Sequence, residues 1–409
     1  MAAVKKVATK PAVKKARVLV ATEKVVRRAV VDEVAPASVY FANVSEKTGL
    51  KFISSGSAVL DAALGGGWVL GRVVNIVGDR SAGKTLLAIE ACANFNKQYP
   101  NGKIRYNEAE AAFDEAYAEA LGMPKGVVDF TGMVISAEDE EKLAAFKAIA
   151  TDRDAAERER AKAEASIKRL EAKGVGRPTN TVESLHDDIV HTLDNNKGRP
   201  ILYIIDSLDA LSDEAEQDRG IGESSYGGSK PKKMGEMFRR LVDRMEAQEM
   251  LLVVISQLRD KLNVTFGEKQ TRSGGRALDF YASHIVWLAE TGKIKKTMAK
   301  VDRIIGVNVR ARVKKNKVGL PFRECAYPIL FGYGVDDLTA GVEWLIEVGL
   351  DEQLKTLGIS KAGYKISLPK MRDRGGEEVR EFRKALNSMV FTEWQRIEQG
   401  FLPKTGKYS

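Results

Sequence analysis

The chain has 409 residues, 44% apolar and 30% charged, which fits a soluble globular protein built as one large α/β domain with attachments or as two to three domains. No apolar run approaches bilayer-spanning length, and the two cysteines, Cys92 and Cys325, lack metal-ligand spacing and read as free thiols of a reducing compartment. Of the net charge of +9, residues 1–28 supply +8, so the body is almost neutral and a uniformly basic surface is excluded.

Residues 1–35 alternate Ala and Val with Lys and Arg and include Pro11. Such a stretch buries little, and it reads as a basic flexible arm. Two roles are open to it: a polyanion-binding arm or a solvated tail. A transit peptide would carry more Ser and less Lys. Residues 55–67 read as a short helix ended by three glycines.

Residues 72–77 form an apolar run that reads as a buried strand, and residues 86–93 read as a helix. Between them stands Gly78-Asp79-Arg80-Ser81-Ala82-Gly83-Lys84-Thr85, a G-x-x-x-x-G-K-T loop. Glycines let such a loop curl its N–H groups toward anionic oxygens, and the following helix adds its positive dipole end. Lys84 is placed to reach the β and γ phosphates of a nucleotide and Thr85 to bind Mg²⁺.

A second strand at residues 103–107 ends in Glu108-Ala109-Glu110, where a water-activating base is needed beside a phosphate loop. Asp114 and Tyr117 follow, and Tyr117 is able to stack on an adenine face; taken singly, each reads rather as a surface charge or a core aromatic. A third strand is expected at residues 133–136. Residues 138–176 are charged and Ala-rich, and read as one long helix or a helical hairpin projecting from the core, ended by Gly174 to Pro178. An amphipathic helix is expected at 181–193. His186, His191 and His284 form no metal-spaced cluster.

Residues 201–207 form an apolar strand ending in Asp206-Ser207, with Asp206 beside the phosphate loop as the Mg²⁺ carboxylate. Residues 213–232 read as a basic Gly-rich loop holding Tyr226, Lys230 and Lys232, with Lys233 just beyond it. A helix at 234–245 and a strand at 251–257 follow. That strand feeds a second basic loop, 258–275, with Arg259, Lys261, Arg272, Gly274 and Gly275. Two strands of one sheet each feed a basic loop, so a polyanion there would be coupled to the nucleotide. Gln257 stands between the two sites. Lids are the alternative for such long loops.

The chain resembles RecA-type strand-exchange recombinases of bacteria and bacteriophages over roughly residues 55–334. The most specific pieces are Ala109-Glu110-Ala111-Ala112-Phe113-Asp114, Ile205-Asp206-Ser207, Thr271-Arg272-Ser273-Gly274-Gly275-Arg276-Ala277-Leu278-Asp279-Phe280-Tyr281-Ala282-Ser283, and Lys314-Lys315-Asn316-Lys317-Val318-Gly319-Leu320-Pro321-Phe322. The resemblance implies an α/β fold: a RecA-like P-loop ATPase core over 36–335 with a central, mostly parallel sheet, interrupted by the 138–176 insertion. A small C-terminal helical or α+β domain over 336–409 would follow.

It further implies a DNA-dependent ATPase that uses ATP and Mg²⁺, forms helical filaments on single-stranded DNA and exchanges strands with duplex DNA. Glu110 would polarise the attacking water, Asp114 and Tyr117 would hold adenine, and Gln257 would couple the γ phosphate to the second loop. Lys315 and Lys317 would reach the ATP of the neighbouring protomer, with Phe280 at that interface. Arg259, Lys261 and Leu262 match base-contacting positions, and Tyr226 matches a wedge position suited to stacking. Single-strand-binding and loading proteins are implied partners, and a bacterial cytoplasm is implied for a bacterial or phage gene. The chain departs from the family pattern at Ala111 (His in the family), Arg276 (Asn) and Asp279 (Lys), and its end, Lys404 to Ser409, is not acidic. A ring helicase would need an arginine finger in trans, and Lys315-Asn316-Lys317 argues against it. Lys84, Glu110 and Asp206 argue against a purely architectural DNA-binding protein.

Overall fold

A computed structural model of the chain describes residues 49–110, 113–132, 137–152, 156–172, 180–217, 229–260, 270–405 and 407. The 1–35 arm, Ala111, residues 133–136, Gly174 to Pro178, Tyr226, Lys261 and Leu262 lie outside these residues.

In chain order the elements are β1 (Phe52–Ile53), α1 (Ala58–Leu64), β2 (Trp68–Val69), β3 (Val73–Gly78), α2 (Lys84–Gln98), β4 (Lys103–Glu108), α3 (Glu115–Ala120), β5 (Val128–Gly132), α4 (Ala137–Thr151), α5 (Glu157–Ala172) and α6 (Val182–Asn195). Then come β6 (Ile201–Asp206), a 3-10 turn (Leu208–Ala210), α7 (Glu214–Gln217), α8 (Ser229–Ala247), β7 (Met250–Asp260), β8 (Gln270–Arg272), α9 (Gly275–Tyr281), β9 (Ala282–Met298) and β10 (Val301–Asn316). The chain closes with β11 (Glu324–Leu330), β12 (Gly334–Val335), α10 (Asp337–Glu347), α11 (Asp351–Leu354), α12 (Tyr364–Arg374) and α13 (Glu377–Phe401).

One large sheet runs β12-β11-β10-β9-β3-β7-β6-β4-β5, with β8 paired to β7. From β9 to β5 all neighbours are parallel; β10 to β12 and β8 are antiparallel. The central strands are continuous apolar runs because both faces are covered. Val74, Ile76, Leu202, Ile204, Leu251, Val253 and Ile255 face one core; Val73, Val77, Ile201, Tyr203, Ile205, Leu252 and Val254 face the other. Helix α6 starts on a capping box between Thr181 and Ser184. Its buried Asp188 is paired with Arg105 of β4 and accepts the Tyr203 hydroxyl at 2.7 Å, which fixes helix to sheet.

Several boundaries differ from the sequence reading. A strand stands at Val128–Gly132, just before the 133–136 segment that lies outside the described residues, and pairs with β4; Ile104 opposes Val128 and Glu108 opposes Gly132. The 138–176 insertion is a helical hairpin in its described part: α4 and α5 pack on each other, with Leu143 and Ala163 buried. The expected 213–232 loop ends early, because α8 begins at Ser229 with Pro231 in its first turn, where a missing N–H costs nothing. The second basic loop is a β-ribbon at its base, with Leu258 opposite Arg272 and Asp260 opposite Gln270.

Residues 336–409, read as a small C-terminal domain, share the body's core. Leu338, Val342, Leu345, Leu386, Val390 and Trp394 join Leu60 and Leu64 in one cluster. The Ala58 N–H donates to Asp337 at 2.7 Å, and Trp344 stacks on Trp394 with centroids 5.3 Å apart.

Two carboxyls, buried Asp61 and half-buried Glu90, lie along this seam. Burial pushes Asp61 up to about 7 against hydrogen bonds from Ser54 and Ser55, and pushes Glu90 to about 7 as well. Both ordinary values are lower, 3.8 and 4.5. The folded chain therefore keeps protons that the unfolded chain has released, and this contribution to stability is complete below the ordinary values and lost as pH rises through 7. Asp61→Asn and Glu90→Gln are each expected to flatten the fall in Tm between about pH 4 and 7. Thermal melts across that range check this, and slopes equal to the parent's would refute it.

Candidate nucleotide site and nucleic-acid interface

The site lies at the carboxyl ends of β3, β6, β4 and β7, where ligands collect on such sheets. Gly78 is level with Gln257 of β7, and Glu108 is level with Asp206 of β6. The phosphate loop leaves β3 after Gly78. Asp79, Arg80 and Ser81 are exposed and Ala82 is buried. Ser81 and Gly83 have φ of 62° and 85°, so the loop curls back on itself. A Cβ on Gly83 would come 2.4 Å from Ile329 Cδ1, and the positive φ there already disfavours any other residue.

Lys84 opens α2 and its Nζ donates to the Asp79 carbonyl at 2.7 Å. Burial lowers its pKa, against the pull of the Asp206, Glu110, Asp79 and Asp209 charges. Asp206 is buried; its Oδ2 accepts the Thr85 hydroxyl at 2.9 Å and the Tyr106 hydroxyl at 2.8 Å. Burial raises its pKa, offset in part by those two donors. A hydroxyl and a carboxylate in contact are hard-oxygen donors suited to Mg²⁺, the other positions going to phosphate and water. Among the described residues no group of three or more His, Cys, Asp or Glu forms a separate metal cage.

Glu110 sits just past β4. Its Oε1 accepts the Ser207 hydroxyl and the Gln257 side-chain amide, the latter at 3.1 Å, while its own N–H donates to Glu108. A cleft of about 410 Å³ runs from Ser81, Gly83, Lys84 and Thr85 to Asp114 and Tyr117. Asp114 caps α3 by accepting the Tyr117 N–H at 2.9 Å. The Tyr117 ring is 43% exposed, free to meet a flat base. Sequence reasoning missed the wall opposite, Val307, Ile329 and Phe331 from the antiparallel half of the sheet. It also assigned no role to Ser207 and did not see Asp209; they stand one and three positions after the β6 carboxylate, the one signal available.

The basic residues divide. Lys232 is exposed, and Arg259 is 61% exposed with one contact to Asp209. Lys230 instead donates to the Leu208 and Leu211 carbonyls, Lys233 pairs with Glu183, and Arg272 is buried against Asp279 at 2.6 Å. These three are held by the chain itself, because each lies on an ordered element and not on a loop. Gly274 and Gly275, both with positive φ, turn the chain from β8 into α9. Lys315 and Lys317 both donate to the Phe280 carbonyl, and Lys315 also to that of Asp279. Neither lines the chain's own cleft. Phe280 is 69% exposed beside them. No described helix is long and apolar enough to cross a membrane.

Comparison with known proteins agrees with this geometry. The RecA N-terminal domain family model matches residues 31–150 and 170–336, and the gap falls inside the helical hairpin. Protein RecA of Caulobacter sp. (strain K31) is 31% identical over 365 residues, 87% of this chain and 85% of that protein. Protein RecA of Thioalkalivibrio sulfidiphilus is 30% identical over 354 residues, 86% and 85% of the two chains. That of Colwellia psychrerythraea is 31% identical over 313 residues, 76% and 72%. A family match over most of the chain, with relatives at this identity across most of both lengths, makes it a member of the RecA family of recombinases.

Proposed function

We propose that the protein closes its ATP sites between neighbouring protomers of a filament on single-stranded DNA, and that Gln257 reports the nucleotide to the DNA-binding segment. As a RecA-family recombinase it is a DNA-dependent ATPase of recombination and repair that binds DNA, forms filaments and works with ATP and Mg²⁺. The observation that carries the residue assignment is Gln257. Its side chain lies on Glu110, and its strand runs straight into the basic segment begun by Arg259.

In this reading Gly78 to Thr85 cradle the phosphates, Thr85 and Asp206 hold Mg²⁺, and Glu110 polarises the attacking water. Asp114 and Tyr117 take the base. Lys315 and Lys317 serve the next protomer's phosphates. Arg259, Lys232, Lys261, Leu262 and Tyr226 meet DNA, with Gly274 and Gly275 hinging the second segment. Single-strand-binding and loading proteins are the expected partners, in a bacterial cytoplasm.

The test is ATP hydrolysis measured across protein concentration with and without single-stranded DNA. Stimulation that rises cooperatively with protein is expected, because each site would need a neighbour. Hydrolysis that ignores DNA, or rises linearly with protein, would overturn the reading.

A further inference from the structure

The 3-10 turn after β6 carries a carboxylate that the reading above leaves without a task. Asp209 is nearly closed off, its side chain 8% exposed, and it collects donors from β7 and from the residue just after β8. Its Oδ2 accepts the Gln257 backbone N–H at 2.7 Å. Its Oδ1 accepts the Arg259 guanidinium at 3.0 Å and the Ser273 hydroxyl. The same turn is gripped from the other side by Lys230, whose ammonium donates to the carbonyls of Leu208 and Leu211. One short turn, three residues past the Mg²⁺ carboxylate, thus ties together the places where both basic segments rejoin the fold.

The link continues inward. Gln257, with its backbone on Asp209, places its side-chain amide on Glu110; Ser207, next to the turn, donates to the same Glu110 oxygen. It also continues outward. Arg259 is mostly exposed, so a DNA phosphate competes directly with Asp209 for its guanidinium. The Gln257 backbone N–H, by contrast, is part-buried and has no such competitor.

We propose that Asp209 is the positioning residue that makes hydrolysis answer to DNA. It fixes Gln257 against Glu110 through the backbone, and it holds Arg259 in reserve until a phosphate takes it. The proposal rests on the functional reading above and adds the element through which the two sites bias each other.

Two variants of the full chain separate these roles. Asp209→Ala removes the acceptor for Gln257, and is expected to cut the stimulation of hydrolysis by a long dT oligonucleotide on the order of tenfold while affinity for a fluorescent ATP analogue is kept. Asp209→Asn keeps an acceptor for the Gln257 N–H but gives up the charge on Arg259. Stimulation is then retained, the oligonucleotide binds more tightly, and the log–log salt dependence of binding steepens by about one. Parental stimulation in Asp209→Ala, or a parental salt slope in Asp209→Asn, overturns the proposal. So does a joint loss of stimulation, ATP-analogue affinity and thermal stability in both variants, which is the mark of a packing role alone. Absence of stimulation in the parent protein strikes the functional reading instead; the salt slope of Asp209→Asn, read by binding alone, still decides the present one.

Discussion

Replacing Glu110 by Gln is expected to leave ATP binding intact and to lower DNA-stimulated hydrolysis by roughly 10²- to 10⁴-fold, the usual yield of a positioned general base. The neighbouring carboxylates are already committed. Asp206 accepts Thr85 and Tyr106 at the Mg²⁺ corner, and Glu108 is buried and accepts the Glu110 N–H. Glu110, by contrast, is exposed, with Ser207 and Gln257 to orient it. Gln keeps the size and the amide contacts but cannot take a proton. Binding of a fluorescent ATP analogue and steady-state hydrolysis with saturating single-stranded DNA separate the two effects. Hydrolysis within a few-fold of the parent would mean that the water is activated elsewhere.

The second large effect is one that a single protomer cannot reveal. Lys315 and Lys317 stand outside the chain's own cleft, side by side at the end of β10, with exposed Phe280 against them. Burial and the charge of Lys317 lower the Lys315 pKa, so the pair gains by meeting an anion. A Lys315→Ala, Lys317→Ala double variant is expected to be inactive, as is Lys84→Ala. Mixed in equal amounts, they are expected to recover about a quarter of the parental rate, because a head-to-tail filament places the intact lysines of one beside the intact nucleotide site of the other. Hydrolysis against mixing ratio is the measurement. No recovery at any ratio would assign the lysines to their own protomer or to folding alone.

Much of this site was legible in the sequence. Gly78 to Thr85, Glu110 and Asp206 stand where apolar strand runs end, and burial on both sheet faces makes those runs unmistakable. The β9–β10 hairpin was not legible. Its tip is Ala299-Lys300, with φ of 50° and 63°, a two-residue turn without the Asn or Gly that usually signals one. The cleft wall of Val307, Ile329 and Phe331 comes from that half of the sheet and was hidden with it. The partition of the basic residues was hidden for another reason. Whether a lysine faces solvent or a carbonyl, as Lys230 does, depends on a turn some twenty residues away in sequence, and composition does not encode that.

The pairing of the first helix with the last ones sets a condition on how the chain is made. Ala58 and Asp337 are hydrogen-bonded across 279 positions, and Leu60 and Leu64 share a core with Val390 and Trp394. A ribosome delivers α1 more than 200 residues before the first of its cover. Until β10, β11 and the helices after them are made, that apolar face waits unshielded, and contacts of such sequence separation form late. A chain cut short before α13 would therefore keep α1 packed on β10, β11 and α10 but lack Val390 and Trp394 from the core they share.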